Sequence, residues 1–151
     1  MKRFLIFGLI ALMGAPAFAQ NADATPESGV MLDIRDSENV TLSDFLWLNR
    51  LIIVFADSDR DPAFQRQMEL LLERPEALLE RDVIVVIDTN PSEQSEIRTI
   101  LRPRGFSFVL LDKDGVVKLR KPTPWDVREI SRSIDKTDLR QQELREAREA
   151  G

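Results

Sequence analysis

The chain has 151 residues, of which 43% are hydrophobic and 31% are charged, and its formal net charge at pH 7 is −5. A length in this range fits one globular domain with its own hydrophobic core. The sequence contains no Cys and no His, which excludes thiol redox chemistry, disulfides, thiolate metal sites and any mechanism that needs an imidazole base.

The start of the chain has the three parts of a secretory signal peptide. Two basic residues precede a run that is almost entirely apolar (residues 4–13), and a small-x-small motif ends at Ala19. We therefore expect cleavage between Ala19 and Gln20 and export to the periplasm or beyond the cell. The apolar run is shorter than the roughly 20 residues of a membrane-spanning helix, so we expect no stable membrane anchor after cleavage.

Composition divides the chain into four predicted segments. These are a signal peptide (1–19), a flexible leader with a short helix (20–49), a main domain (50–137) and a charged helix with frayed ends (138–151). In the second segment, Thr41 or Ser43 can cap the short helix. The last segment has almost no apolar face, which is why we expect it to fray.

The first half of the main domain alternates strands and helices. Residues 51–56 and 83–87 are continuous apolar runs, typical of strands that are covered on both faces. A helix is predicted over residues 62–74, Pro75 begins a short further turn, and Ser92 opens a second helix. Helical spacing turns toward the sheet Phe64, Met68, Leu71 and Leu72 from the first helix, and Ile97, Ile100 and Leu101 from the second.

The second half predicts an antiparallel hairpin and one more helix. Residues 106–111 and 116–120 are β-type runs, joined by an Asp-Lys-Asp-Gly turn in which Gly115 can take a positive φ. Thr123 is the expected N-cap of a helix that starts at Pro124. The order βαβα, then ββ and α, predicts an α/β fold of the thioredoxin-like class: a mixed sheet with helices on both faces.

Several short motifs accompany this order: Phe55-Ala56, Asp61-Pro62-x-Phe64-x-x-Gln67, Gly105-Phe106-x-x-Val109-Leu110-Leu111-x-Lys113-Asp114-Gly115-x-x-Lys118-Leu119-Arg120, and Ile134-Asp135. Together they resemble the family of domain of unknown function 4174 over about residues 50–143. That family occurs as small exported proteins of proteobacteria and as domains of vertebrate sushi-repeat extracellular proteins. The resemblance implies a thioredoxin- or peroxiredoxin-like fold and no particular activity.

The chain departs from the family pattern after the Ile-Asp pair. Members tend to carry a Met-Pro-Met-Arg-like segment there, whereas this chain has Lys136-Thr137-Asp138-Leu139-Arg140. Any role of that segment elsewhere is therefore not carried over to residues 136–140.

The loop after the first strand is where a thioredoxin-like enzyme has its redox thiol, at the N-terminus of the next helix. Here residues 56–62 offer three Asp and one Ser. Thiol–disulfide oxidoreductase and peroxidase activities are therefore excluded, and we expect no catalytic residue and no cofactor.

The acidic loop itself is a candidate calcium site, because Asp57, Asp59 and Asp61 have the spacing that opens an EF-hand loop. However, Pro62 replaces the loop's glycine and Met68 stands where the last ligand is needed. The favoured interpretation is that the acids stabilise a helix N-terminus, with Asp61 as N-cap. A metal site remains the alternative.

A second candidate surface is basic. Its members are Lys118, Arg120, Lys121, Arg128 and Arg132, which could hold an anion or an acidic partner segment. The competing interpretation is a sheet edge that cations protect from further strand pairing. Removing the signal peptide takes the net charge from −5 to −7, which argues against nucleic acid as the partner.

Two functions remain open at this point. The favoured one is an exported, non-catalytic binding module with a protein partner, and its oligomeric state is undetermined. The alternative is an enzyme or a calcium-dependent module that uses Asp57, Asp59 and Asp61.

Overall fold

The computed structural model describes residues 31–151. The predicted signal peptide, its cleavage site between Ala19 and Gln20, and the first part of the predicted leader lie outside the described residues. Within residues 31–151, no helix combines the length and the apolar character needed to span a bilayer.

One mixed sheet forms the centre of the domain, with its strands in the order β1-β3-β2-β4-β5. The strands are β1 (Ile34–Asp36), β2 (Arg50–Phe55), β3 (Val83–Asp88), β4 (Ser107–Leu111) and β5 (Val117–Lys121). β1 and β2 each run parallel to β3, whereas β4 is antiparallel to both β2 and β5. The predicted parallel pair followed by an antiparallel hairpin is therefore confirmed.

The directions of the strands place the ends of four strands at one edge of the sheet. Because β5 runs in the same direction as β2, the carboxyl ends of β2, β3 and β5 lie together with the amino end of β4. We call this edge, marked by Phe55, Asp88, Ser107 and Lys121, the carboxyl edge. The opposite edge, marked by Arg50, Val83 and Leu111, is called the amino edge.

Helices cover both faces of the sheet, as predicted. They are α1 (Pro62–Glu73), α2 (Pro75–Leu79), α3 (Glu96–Leu101), α4 (Val127–Asp135) and α5 (Asp138–Glu149). α1, α2 and α4 pack on one face, and α3 packs on the other with two 3₁₀ turns, Ser37–Asn39 and Leu42–Phe45.

The central strand β2 contributes to both cores. Ile52 and Val54 face α1, α2 and α4, whereas Ile53 and Phe55 face α3, and all four are fully buried. A strand covered on both faces needs an apolar side chain at almost every position, which explains the uninterrupted run in the sequence. Each such burial stabilises the fold by about 1.5–3 kcal/mol.

Strand β1 lies in the segment that was predicted as leader and short helix, so no strand was predicted there. Its three residues are exposed, and their pairing with Val85, Val86 and Ile87 of β3 is made by the backbone. Side-chain periodicity carries no signal for a strand of this kind, since no apolar face is buried.

Three details of the predicted helices are wrong. α3 begins at Glu96 with Ser95 as N-cap, because a 3₁₀ turn (Pro91–Glu93) occupies the predicted start. Leu72 and Ile100 point to solvent, with 55% and 54% of their surface exposed. α4 begins at Val127, where the carboxylate of Asp126 accepts from the Glu129 amide, so Asp126 rather than Thr123 is the cap.

The last helix is attached to the domain. Thr137 caps α5, and Glu143 on its inner side reaches Arg50 at the start of β2. The prediction of a frayed helix considered only apolar spacing, whereas the attachment is ionic. Residues 136–140, where the chain departs from the family pattern, form the junction of α4 and α5.

Candidate functional site

The carboxyl edge holds the acidic loop and two of the five cations of the predicted basic surface. The acidic loop (residues 56–61) leaves β2 there, and residues 102–106 enter β4 there. Lys121 ends β5 at the same edge. In open α/β sheets, ligands bind at the carboxyl ends of strands. A ligand site is therefore expected at this edge.

In the acidic loop, Asp61 is the N-cap of α1. Its Oδ1 accepts hydrogen bonds from the backbone amides of Ala63 and Phe64 at 2.7 and 3.3 Å. Pro62 takes the first helical position, where its missing N–H costs nothing. One oxygen of the carboxylate that the calcium hypothesis needs is therefore already bonded to the start of the helix.

The other two acids of the loop do not join Asp61. Asp57 and Asp59 are exposed, and Asp59 accepts a hydrogen bond from the Ser58 hydroxyl at 3.3 Å. That hydroxyl in turn accepts from the Arg60 amide at 3.1 Å. Across residues 31–151, no group of three or more acidic side chains is placed so that it could hold a metal ion.

Behind the loop lies a buried ion pair that the sequence analysis missed. Asp88 accepts from the guanidinium of Arg98 at 2.6 Å and from the hydroxyl of Ser95 at 2.6 Å. Arg98 also donates to the carbonyl of Ala56 at 3.1 Å and lies over the ring of Phe55. These contacts tie the ends of β2 and β3 to α3. An acid that ends an apolar strand was the available signal.

The carboxyl edge also has an open groove of about 470 Å³, which we call the basic groove. Two of its arginines come from the loop before β4, and its other two cations come from the end of β5. It is lined by Leu101, Arg102, Arg104, Phe106, Ser107, Arg120, Lys121 and Pro122.

Among residues 31–151, the cations of the basic groove have no acidic partner. Within residues 31–151, no carboxylate oxygen lies within 4.0 Å of a charged nitrogen of Arg102, Arg104, Arg120 or Lys121. Arg120 donates to the carbonyl of Leu101 at 2.9 Å. The ammonium of Lys121 lies 4.5 Å from the ring centre of Trp125, a cation–π contact that orients it without neutralising it.

The predicted basic surface is divided by the fold. Arg120 and Lys121 lie in the basic groove, whereas Lys118 lies 3.5 Å from Asp114. Arg128 and Arg132 are on α4, where both lie near Glu129 and line other depressions, away from the groove.

The groove also contains Arg102 and Arg104, which were not part of the predicted basic surface. Their signal was the Arg-Pro-Arg sequence at the predicted helix end. β5 is the outer strand of the sheet, so its exposed cations also fit the edge-protection interpretation.

The amino edge holds a separate ionic network. The buried guanidinium of Arg50 lies 2.9 Å from Asp112 and 3.1 Å from Glu143. Burial raises the pKa of Glu143, but hydrogen bonds from Lys113, Arg50 and Arg140 outweigh it and lower that pKa from 4.5 to about 2. When Glu143 is ionised, the network therefore holds α5 against the sheet.

Comparison with known proteins identifies the family and the fold. Residues 41–143 match the sequence profile of the family described as a domain of unknown function, DUF4174. No curated protein matches the chain.

Solved structures with the same fold are thioredoxins and peroxiredoxins. Chloroplastic thioredoxin z is 20% identical with a TM-score of 0.53, over 71% of this chain and 98% of that chain. The reduced 2-Cys peroxiredoxin of Plasmodium vivax is 17% identical with a TM-score of 0.51, over 64% and 81%. Reduced desulfothioredoxin from Desulfovibrio vulgaris Hildenborough is 20% identical with a TM-score of 0.50, over 71% and 100%. At these identities the likeness shows the thioredoxin-like fold.

Proposed function

This chain belongs to the family described as domain of unknown function 4174, and on that premise we propose that it is an exported, non-catalytic module that binds a protein partner. The surface that we assign to binding is the basic groove at the carboxyl edge. The observation that carries the proposal is that three arginines, Arg102, Arg104 and Arg120, line this groove with no carboxylate of residues 31–151 within 4.0 Å of their charged nitrogens.

The non-catalytic part of the proposal rests on chemistry. The chain has no Cys and no His, and thioredoxin-like folds without thiols cannot exchange disulfides or reduce peroxides. At the position of the redox loop, Asp61 caps α1 and Arg98 pairs with Asp88. These groups have their hydrogen-bonding partners within the fold, which supports a structural role for that part of the edge.

The binding part of the proposal rests on cationic side chains that have no carboxylate partner among the described residues. Eight of the 15 arginines in residues 31–151 lie within 4.0 Å of a carboxylate, and Arg66, Arg81 and Arg132 are examples. Arg102 and Arg104 lie on the same short loop without such partners among the described residues. A cluster of like charges beside an apolar wall gains when an anionic partner covers it.

The export part rests on the signal peptide pattern that ends at Ala19. An exported partner, or the exposed part of an envelope protein, would then meet the groove outside the cytoplasm.

Site-directed cross-linking in the native host tests the proposal. A photoreactive amino acid is placed at Pro122, on the rim of the groove, and at Gln142 on the exposed side of α5 as the control position. We expect a discrete cross-linked protein from position 122 and none from position 142. That product should disappear when Arg102 and Arg104 are both replaced by Gln.

Equal products from both positions, or a product that is unaffected by the arginine substitutions, would contradict the assignment of the groove.

A further inference from the structure

We infer that the basic groove recognises a short acidic peptide segment of the partner, one that presents carboxylates at intervals along an exposed stretch. This inference rests on the proposed function and names the chemical groups that the groove recognises.

Three of the four cations are arginines, and this favours carboxylates. A guanidinium is planar and offers paired N–H donors that match the two oxygens of a carboxylate. Arg120 uses one nitrogen on the Leu101 carbonyl and keeps other donors for a ligand. Arg102 and Arg104 are both exposed, so their donors face water in the free protein.

The cations of the groove come from two separate segments of the chain. Arg102 and Arg104 come from the loop before β4, whereas Arg120 and Lys121 come from β5. Leu101, Phe106 and Pro122 supply apolar surface beside them. A peptide has both parts that this surface needs: carboxylates for the cations, and backbone with aliphatic groups for the apolar wall.

A compact anion such as phosphate fits the groove less well. Compact anions are usually bound where helix N-termini or backbone amides converge on them. The helix end at this groove is the C-terminal end of α3, from which Leu101 and Arg102 lead into the lining. A helix C-terminus presents carbonyl oxygens and offers no converging N–H donors to a compact anion.

A long polyanion also fits less well, because the rest of the chain repels it. The whole chain has a net charge of −5, and the acidic loop with exposed Asp57 and Asp59 lies at the same edge as the groove. A nucleic acid needs a basic surface that follows several phosphates. A short acidic segment is attracted by the cations of the groove and does not extend over the acidic side chains around it.

Fluorescence of Trp125 gives a direct test, since Lys121 lies over its ring. The mature chain carries Trp47→Phe, so that Trp125 is the only tryptophan. It is titrated with a blocked peptide of alternating Glu and Ser, and with the same peptide carrying Gln in place of Glu. We expect a saturable change with the Glu peptide alone, and we expect its affinity to fall as salt is raised.

Matched variants locate the binding. Arg102→Gln with Arg104→Gln removes two charges from the groove, and Arg145→Gln with Arg148→Gln removes two exposed charges from α5. We expect the first pair to weaken the Glu peptide by about tenfold or more and the second pair to leave it unchanged. Urea melts of both pairs establish that each variant is folded.

Three results would overturn the inference: equal binding of the Gln peptide, tighter binding of inorganic phosphate or of a single-stranded oligonucleotide than of the Glu peptide, or equal loss in both variant pairs. The proposed function is judged separately by the cross-linking. If position 122 captures a protein in a manner that depends on Arg102 and Arg104 while the Glu peptide fails to bind, the proposed function stands and the acidic segment is wrong.

Discussion

At the scale of single residues, the charged side chains of the carboxyl edge divide into two groups. Asp61 and Asp88 are each held by short hydrogen bonds, the first to backbone amides of α1 and the second to Arg98 and Ser95. The basic groove, in contrast, presents cations with no carboxylate partner among residues 31–151. The first group holds the fold together, and the second is open to a ligand.

Substitution of Asp61 tests its role as the cap of α1. We expect Asp61→Ala to lower the free energy of unfolding by about 0.5–2 kcal/mol, because two amides lose their acceptor. Asp61→Asn and Asp61→Ser should be largely tolerated. Asp57→Ala and Asp59→Ala should each cost no more than a few tenths of a kcal/mol. Urea denaturation measures all of these changes.

The same melts, repeated with added calcium, test the metal alternative. Calcium that bound only the folded state would raise its stability. A calcium-dependent increase in the wild type that is lost in Asp57→Ala would show that the loop is a metal site and that the cap is not its main role.

Substitution of Arg98 tests the buried ion pair. We expect Arg98→Met to destabilise the protein by about 3–5 kcal/mol, since it leaves the carboxylate of Asp88 buried without its partner. Adding Asp88→Asn to that variant should recover part of the loss, because the unpaired charge is then removed. Denaturant melts of the two single variants and the double variant give the coupling. Additive effects would mean that the pair contributes little.

At the scale of elements, α5 shows how a helix without an apolar face is attached. Its inner side is joined to the amino edge by Glu143, which lies 3.1 Å from Arg50 and 2.9 Å from Lys113. Arg140 adds a bond to the carbonyl of Glu80 at 3.1 Å. Because these contacts are ionic or polar, the attachment of α5 depends on pH.

Glu143 sets the direction of that pH dependence. Its folded pKa of about 2 lies below the ordinary value of 4.5, so the unfolded state binds more protons in this range. The contribution is therefore complete above about pH 4.5 and is lost as the pH falls toward about 2. Glu143→Gln should destabilise the protein by about 1–3 kcal/mol near neutral pH and make the acid limb of the stability profile shallower.

The exposed Glu149 near the end of α5 is the matched control. Glu149→Gln should leave the profile of stability against pH unchanged, as measured by urea melts between pH 2 and pH 7. If Glu143→Gln has the same slope as the wild type, the network does not attach α5 through this carboxylate.

At the scale of the whole molecule, the protein combines a thioredoxin-like sheet with a composition that prevents thioredoxin chemistry. The two cores on either side of β2 are apolar and closed. The groove and the exposed acids lie at the rim of the sheet, where loops enter and leave it. Our proposal therefore assigns the function to the surface at that rim.

We expect the purified protein to reduce neither a disulfide substrate nor a peroxide above the rate of buffer, because no residue can form the required thiolate. Insulin reduction and peroxide consumption are suitable assays, with a thioredoxin as positive control. This prediction is contradicted if the rate of turnover rises in proportion to the concentration of this protein after contaminating thiol enzymes are removed.

The signal peptide pattern predicts the mature N-terminus. We expect the exported protein to begin at Gln20, because Ala19 ends the small-x-small motif that signal peptidase reads. Intact-mass measurement of the exported fraction checks this. A mass that includes residues 1–19 would show that the segment is retained.

Much of the fold could be predicted from residue patterns. The apolar runs of β2 and β3, the Asp-Lys-Asp-Gly turn before β5 and the Asp61-Pro62 helix start are local signals, and each marks the element that the structure contains. Less of the site could be predicted. The five cations proposed as one surface lie in different places, because nothing in their spacing shows that α4 packs away from the carboxyl edge.

The amino-acid sequence by itself determined the fold class, the exclusion of thiol chemistry and the cap at Asp61, because each depends on composition or on neighbours a few positions apart. Tertiary structure alone decided the pairing of β1 with β3, the attachment of α5 through Arg50 and Glu143, and the meeting of two chain segments in the basic groove. These features depend on backbone hydrogen bonds and charge contacts between residues far apart in the chain, which leave no periodic pattern in the sequence.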